Sequence, residues 1–211
     1  AELVARATPD GATLLMANAS THTSNFYLMR NLRYHPLRDF TPIAGGVESV
    51  TCLIANSTPN LASLKELIAV ARREPEKLNY SSIGSSGAYT ISMEAFKMLS
   101  GANIVHVPYK GLADGMKDLL VNRIQLTFSN PMGLAEHVKA GKLKGMAISG
   151  DKRSAVLPEV PTFAETGMPR FSGTNWFGIV VPGRTPREII RRISDDVIRI
   201  QQRSEEHTSE L

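Results

Sequence analysis

Three short segments carry the residue types best suited to holding an anion, at residues 18–22, 81–87 and 129–130. Each follows a run typical of a buried strand, and the second leads directly into a predicted helix. Hydroxyl groups, backbone N–H groups and a helix N-terminus bind a carboxylate through fixed partial charges. Serine and glycine also cap helices, but three such segments at strand ends favour a binding site. The expected ligand-binding residues are Ser20, Thr21, His22, Ser82, Gly84, Ser85, Ser86, Gly87, Ser129 and Asn130.

A nucleophilic serine is the catalytic alternative. Residues 149–152 fit the pattern S-x-x-K, but its two companion motifs are absent, and residues 84–87 lack the spacing of G-x-S-x-G. A hydrolase using Ser86 or Ser149 would need a base within hydrogen-bond reach, and the neighbouring loops offer His22. His106 lies near a predicted strand end, where a structural, hydrogen-bonded role is favoured. We therefore expect a binding protein and not an enzyme.

Composition argues against several other classes of protein. The single cysteine, Cys52, excludes an internal disulfide and a multi-cysteine metal site, and the histidines show no ligand spacing. The net charge is +4, and the basic residues are scattered, which does not indicate nucleic-acid binding. We expect no metal and no cofactor.

Strands and helices alternate along most of the chain. This alternation predicts an α/β fold with mainly parallel sheets, in which ligands bind beyond the carboxyl ends of the strands. The predicted strands span residues 13–17, 40–46, 49–55, 78–82, 104–107, 125–128, 143–149 and 176–181. The predicted helices span residues 61–73, 88–99, 113–121, 132–140 and 186–201.

Both ends of the chain look atypical. Residues 203–211 continue no apolar stripe and resemble the translation of a sequencing adapter, so we treat them as a non-native tail. The first residues include no Met and no signal-peptide pattern, and we expect the N-terminus to be truncated.

Several motifs follow one another in a fixed order. They are PDGxTLL at 9–15, DFTP at 39–42, LNYxS at 78–82, VHVPYKG at 105–111, AGKL at 140–143, KRS at 152–154, LPEVPTFAExG at 157–167 and WFG at 176–178. Together, over residues 1–202, they resemble the substrate-binding proteins of tripartite tricarboxylate transporters, also called the Bug family. The resemblance implies a periplasmic receptor with a type II periplasmic-binding-protein fold. Such a receptor captures a small organic carboxylate and delivers it to two integral membrane subunits.

The same resemblance implies two lobes around a cleft, closing on the ligand. The first lobe would comprise residues 1–55 plus 173–202 and lack its first strand and helix, and the second would comprise residues 56–172. Residues 18–22 match the first-lobe Ser/Thr-His segment, and residues 82–87 match the second-lobe carboxylate cradle. Thr90 stands where the family usually has a histidine, and Ser129-Asn130 stands where Asp-Asn is common. We expect a monomer.

Two rival functions and several ligands stay open. The effector domain of a LysR-type transcription regulator shares the architecture and also senses small carboxylates, but it would need a helix-turn-helix segment upstream. A serine hydrolase is the less favoured rival. Citrate, a dicarboxylate, an acidic amino acid and an aromatic acid would each suit a site of amides and hydroxyls.

Overall fold

Two units make up the chain. The computed structural model describes residues 1–58, 61–84 and 87–209, with the backbone alone at 44–45 and 203–209. The first unit comprises Ala1–Glu48 and Trp176–Leu211, and the second comprises Ser49–Asn175. The first crossing between units therefore precedes residues 49–55, which the sequence had assigned to the first lobe.

The second unit is built on a five-stranded sheet. Its strands lie in the order β5-β4-β6-β3-β7. They are β3 (Cys52–Asn56), β4 (Leu78–Ile83), β5 (Ile104–Tyr109), β6 (Leu126–Ser129) and β7 (Leu143–Ile148). β4 is parallel to β5 and β6, whereas β3 is antiparallel to β6 and β7. β4, β5, β6 and β7 therefore run in one direction and β3 runs against them, so this sheet is mixed but mainly parallel, as predicted. Every residue of β3 is buried, so its continuous apolar run is typical of a parallel strand and does not reveal the antiparallel direction.

Helices cover both faces of this sheet and bury two apolar clusters. They are α3 (Leu64–Arg73), α4 (Ala88–Ser100), α5 (Leu112–Leu120) and α6 (Ala135–Lys139). α3 shows how the sequence specifies them: Leu64, Leu67 and Ala71 recur at helical spacing and are buried. The Ser63 side chain accepts a hydrogen bond from the N–H of Glu66 at 3.2 Å, which confirms the predicted cap.

The first unit has a smaller sheet, with strand order β1-β8-β2. Its strands are β1 (Leu15–Asn18), β2 (Phe40–Ser49) and β8 (Asn175–Pro182), and β1 runs antiparallel to β8. Its helices are α1 (Glu2–Ala5), α2 (Asn25–Leu28) and α7 (Arg187–Ser209). Its core is one cluster around Val4, Ala17, Phe40 and Val180.

The last helix and the sheet boundary both differ from expectation. α7 continues to Ser209, into the segment at 203–211 that the sequence set apart. β3 pairs with β6 and β7, so it belongs to the sheet of the second unit. Across the described residues, no helix combines the length and the apolar character needed to cross a membrane.

Candidate functional site

The carboxyl ends of three parallel strands meet at one edge of the second unit. Ser81 of β4 is in register with Val107 of β5 and with Thr127 of β6, so the residues that follow each strand lie side by side. α4 and α5 begin at this edge, after Gly87 and Gly111. Glycine has no side chain to cap the first-turn N–H groups, so two helix N-termini present them here. This edge is the candidate site.

Gly84 lies at the start of the β4–α4 connection. Its φ of 67° is left-handed, and a Cβ added there would meet nothing within 4 Å. A side chain would therefore be disfavoured by the backbone conformation and not by crowding. The N–H of Gly84 donates to the Tyr109 carbonyl at 3.4 Å, which joins the ends of β4 and β5. Ser85 and Ser86, two of the expected ligand-binding residues, lie outside the described residues.

The Ser82 hydroxyl is turned into the protein. Ser82 is 7% exposed, and its hydroxyl donates to the Gly84 carbonyl at 2.8 Å. Ser82 Oγ also lies 2.6 Å from His106 Nε2 and accepts a hydrogen bond from the Thr90 hydroxyl at 2.9 Å. Ser82 therefore occupies the site edge as a support for the backbone at Gly84.

Ser129 and Asn130 end β6 at the same edge. Ser129 is buried and pairs with Cys52 in the sheet. The Asn130 side chain accepts from the N–H of Met132 at 2.8 Å and donates to Ser49 Oγ at 2.6 Å. The first contact caps the 3₁₀ turn Pro131–Leu134. The Asn130 side chain therefore has a structural role in this conformation.

Ser20, Thr21 and His22 lie in the first unit, after β1. The sequence predicted a loop, but Ser20–Ser24 form a π-helical turn that continues into α2. Thr21 and Asn18 hold this turn together, since the N–H of each donates to the side-chain oxygen of the other at 3.0 Å. Local side-chain bonds of this kind let a polar segment form a helical turn.

The His22 ring packs between aromatic residues. Its centroid lies 4.9 Å from that of Phe40 and 6.1 Å from that of Trp176. Burial, and to a lesser degree the N-terminal charge, lowers the pKa of His22, so the neutral form is favoured. Its Nδ1 lies 3.0 Å from the Thr21 hydroxyl, while Nε2 is buried and has no hydrogen-bond partner among the described residues. An apolar groove of about 590 Å³ adjoins these rings.

The serine expected as an alternative nucleophile is fully buried. Ser149 Oγ accepts from the Thr51 N–H at 2.8 Å and donates to the Gly173 carbonyl at 3.2 Å. Cys52 is equally enclosed, and burial raises the pKa of its thiol to about 12. Both side chains are placed for packing and not for attack on a substrate. Among the described residues, no cluster of three His, Cys, Asp or Glu side chains could hold a metal ion.

Sequence reasoning missed the contact between Ser82 and His106. Tyr80 and His106 are paired across β4 and β5, so Ser82 and His106 project from the same face of the sheet. The parallel pairing of β4 with β5 was predictable, but its register was not, because both strands are short and largely apolar.

A family model described as tripartite tricarboxylate transporter family receptor matches residues 1–204. The chain spans 58% of the length of the first curated relatives it matches.

Solved structures with the same fold include a periplasmic binding protein and two proteins solved with a bound ligand. The periplasmic binding protein BugD is 30% identical, with a TM-score of 0.80 over 90% of this chain and 63% of that one. A protein of R. palustris solved with adipate is 32% identical, with a TM-score of 0.81 over 90% and 63%. MatC from Rhodopseudomonas palustris, solved with bound malate, is 27% identical, with a TM-score of 0.83 over 94% and 67%. The predicted α/β fold of periplasmic binding proteins is therefore confirmed.

Proposed function

Because the chain belongs to the tripartite tricarboxylate transporter receptor family, we propose that the whole protein is a periplasmic receptor for a small organic carboxylate. The resemblance drawn from the ordered motifs is confirmed by this match. The family and the fold are those of substrate-binding proteins and not of enzymes. Two similar proteins were solved with dicarboxylates, adipate in one and malate in the other. These ligands make a dicarboxylate the first class to test.

One observation carries the proposal for this chain. The ends of β4, β5 and β6 and the N-termini of α4 and α5 lie at one edge of the second unit. Their uncapped N–H groups and aligned helix dipoles favour a carboxylate, which needs hydrogen-bond donors and positive potential. Gly84 and Gly111 leave open space beside the backbone, because a Cβ at either position would meet nothing within 4 Å. A ligand carboxylate can therefore approach the backbone closely.

Other parts of the proposal extend beyond the described site. Ser20, Thr21 and His22 would contribute further ligand contacts, and Ser85, Ser86 and Gly87 would complete the backbone cradle. Two integral membrane subunits would receive the ligand from a monomeric receptor. The ligand would favour a closed state by making contacts that the open state lacks.

Gly111 offers a sharp test of the site. Its φ of −154° is extended backbone that any residue adopts, and it is the N-cap of α5. Gly111→Asp puts a negative charge at the site edge and also caps the helix, so the variant should stay folded. Gly111→Asn is the matched control, since it has the same shape without the charge. We expect Asp to weaken adipate or malate binding at least tenfold, and Asn to change it less than about threefold.

The measurement is a panel of ligands followed by calorimetry. Adipate, malate and citrate are compared with the uncharged diamide of adipic acid by thermal shift, because a ligand that binds the folded state raises the melting temperature. A shift with the acids and none with the diamide supports the proposal. Equal affinities of the Gly111→Asp and Gly111→Asn variants would show that the carboxylate does not bind at this edge. The absence of a thermal shift with any of the acids would contradict carboxylate binding by this chain.

A further inference from the structure

A chain of hydrogen bonds runs beneath the candidate site. Thr90 of α4 donates to Ser82 Oγ at 2.9 Å, and Ser82 donates to the Gly84 carbonyl at 2.8 Å. His106 of β5 completes it, with Nε2 only 2.6 Å from Ser82 Oγ. Three elements of the second unit therefore converge on one hydroxyl group, directly before the connection that would cradle the ligand.

Counting protons decides the direction of these bonds. A serine hydroxyl has one proton and two lone pairs. If His106 carries its proton on Nε2, it donates to Ser82, Ser82 donates to Gly84, and all three short bonds form together. If Nε2 lacks a proton, Ser82 must donate to it, and the Gly84 carbonyl keeps only the Thr90 hydroxyl at 3.3 Å. The first arrangement satisfies more buried groups with better geometry, so it is favoured.

We propose that His106 is a positioning residue of the carboxylate site: it holds Ser82, which in turn fixes the Gly84 carbonyl and the start of the ligand-binding connection, and its positive form strengthens anion binding. This inference rests on the proposed carboxylate site and assigns it a source of pH dependence. The imidazolium donates at Nε2 as the neutral Nε2–H form does, so protonation keeps the chain of bonds intact. It adds a positive charge below the site, where the ligand is negative.

The surroundings of His106 set how readily it gains that charge. From β4 it faces Tyr80, whose ring stacks on it at 4.7 Å between centroids. From α4 it faces Glu94 and Lys97, which form an ion pair with each other. Glu94 also accepts a hydrogen bond from the Tyr80 hydroxyl at 2.7 Å. The Glu94 carboxylate is therefore already shared between Lys97 and Tyr80, and a ligand carboxylate would add a new favourable partner.

Burial is the main influence on the pKa of His106 in the protein without ligand. It lowers the pKa of His106, and the charge of Lys97 acts in the same direction while that of Glu94 opposes it. The histidine is therefore mostly neutral at pH 7. By linkage, an anion that binds more tightly to the protonated form must raise the pKa of His106.

The first test needs no ligand. Long-range proton–nitrogen correlation spectra of the 211-residue chain report which nitrogen of His106 carries the proton at pH 7.5. We expect Nε2–H. A neutral His106 with its proton on Nδ1 and Nε2 free would overturn the positioning role, whether or not the chain binds a carboxylate.

The second test compares adipate affinity in four proteins, wild type and three variants, between pH 7.5 and 5.5. His106→Gln can place an amide N–H near the Nε2 position but cannot become charged, so we expect it to restore most of the binding that His106→Leu loses at pH 7.5. His137→Gln controls for loss of a histidine elsewhere in the second unit. The titration of adipate itself is common to all the proteins, so the readout is the ratio of affinities of wild type and His106→Gln.

We expect that ratio to rise roughly threefold or more on acidification. A constant ratio would overturn the electrostatic part of the inference while leaving carboxylate binding in place. Equal affinities of the Gln and Leu variants at pH 7.5 would overturn the positioning part. Failure of wild type to bind at either pH would contradict the proposed function, and the tautomer measurement would still decide the role of His106.

Discussion

The two units differ in how completely they bury their apolar residues. The second unit packs α3 and α4 on one face of its sheet and α5 and α6 on the other, with a separate buried cluster on each face. Among the described residues, the first unit has one cluster with four buried members, of which Ala17 alone is fully buried. Large apolar side chains exposed on its surface, among the described residues, are Leu3, Leu14, Met16, Phe26, Tyr27, Leu28, Met29, Leu37, Val47, Ile198 and Ile200.

This difference predicts where the stability of the chain resides. Burial of apolar surface contributes about 25 cal/mol per Å², so the unit with two closed clusters gains far more than the unit with one. In β1, Ala17 is buried while its neighbour Met16 is 60% exposed, so only one face of that strand packs against a core. The first unit should open locally at a lower free energy than the second. An exposed apolar surface of this kind also favours association.

The largest expected effect is a difference in stability between two phenylalanine variants, one in each unit. Phe163 is 1% exposed, and its ring centroid lies 3.9 Å from that of Phe171. Phe163→Ala leaves a closed cavity in the second unit and should cost about 3–5 kcal/mol of unfolding free energy. Phe40 is 5% exposed but lines the open groove of the first unit, so the space left by Phe40→Ala opens to solvent, and the variant should lose the burial energy alone, about 1.5–3 kcal/mol. Urea unfolding of both variants measures the difference.

A matched surface change gives the baseline for these measurements. Met98 is 86% exposed on α4, so Met98→Ala should change the free energy of unfolding by less than about 0.5 kcal/mol. Equal losses for the two phenylalanine variants would mean that the first unit is packed as tightly as the second. That result would contradict the contrast between the units.

Hydrogen-bonded polar side chains test the same difference between the two units, with a smaller expected loss of unfolding free energy. Ser149 accepts from the Thr51 N–H inside the second unit, and both residues are buried. Ser149→Ala leaves this N–H without its partner and should cost about 1–3 kcal/mol. Thr21→Ala removes a comparable bond to the Asn18 N–H in the first unit, but that site is partly open and water can replace the hydroxyl. We expect a loss below about 1 kcal/mol there.

Calorimetry with adipate separates stability from function in the Ser149 variant. The Ser149 side chain is fully buried and its hydroxyl bonds only to Thr51 and Gly173 among the described residues, so the alanine variant should bind as wild type does under conditions where it is folded. A Ser149→Ala protein as stable as wild type would show that the buried network contributes little. A Thr21→Ala protein that loses more than Ser149→Ala would reverse the comparison.

The sequence predicted the second unit better than the first, and the reason is periodicity. α3, α4 and α5 have apolar stripes or clear ends, and the structure places them within a few residues of the prediction. The segment after β1 is polar and small, which indicated a loop. It forms a helical turn because Asn18 and Thr21 bond to each other's backbone, a local effect that composition does not reveal.

The candidate site was also predicted only in part from the sequence. The position of the serine and glycine segment at the end of β4 followed from strand and helix order. The inward direction of the Ser82 hydroxyl did not, since it depends on His106 and Thr90, which lie on two other elements. The assignment of β3 to the second unit likewise required knowledge of strand pairing, because a fully buried strand suits either sheet.

The smallest expected effect concerns acid sensitivity of the first unit. Burial lowers the pKa of His22, so the unfolded chain binds a proton near pH 6.5 while the folded unit resists it. The stabilising effect of the neutral ring is complete above pH 6.5 and is lost as pH falls towards the folded pKa, because the unfolded state then binds more protons. His22 is only partly buried, so we expect the loss from pH 7.5 to 5.5 to stay below about 1 kcal/mol. Hydrogen exchange at Ala17 and Val180 should report this loss, and His22→Gln should reduce it. Acid opening of those two amides that is unchanged in His22→Gln would assign the sensitivity of the first unit to another group.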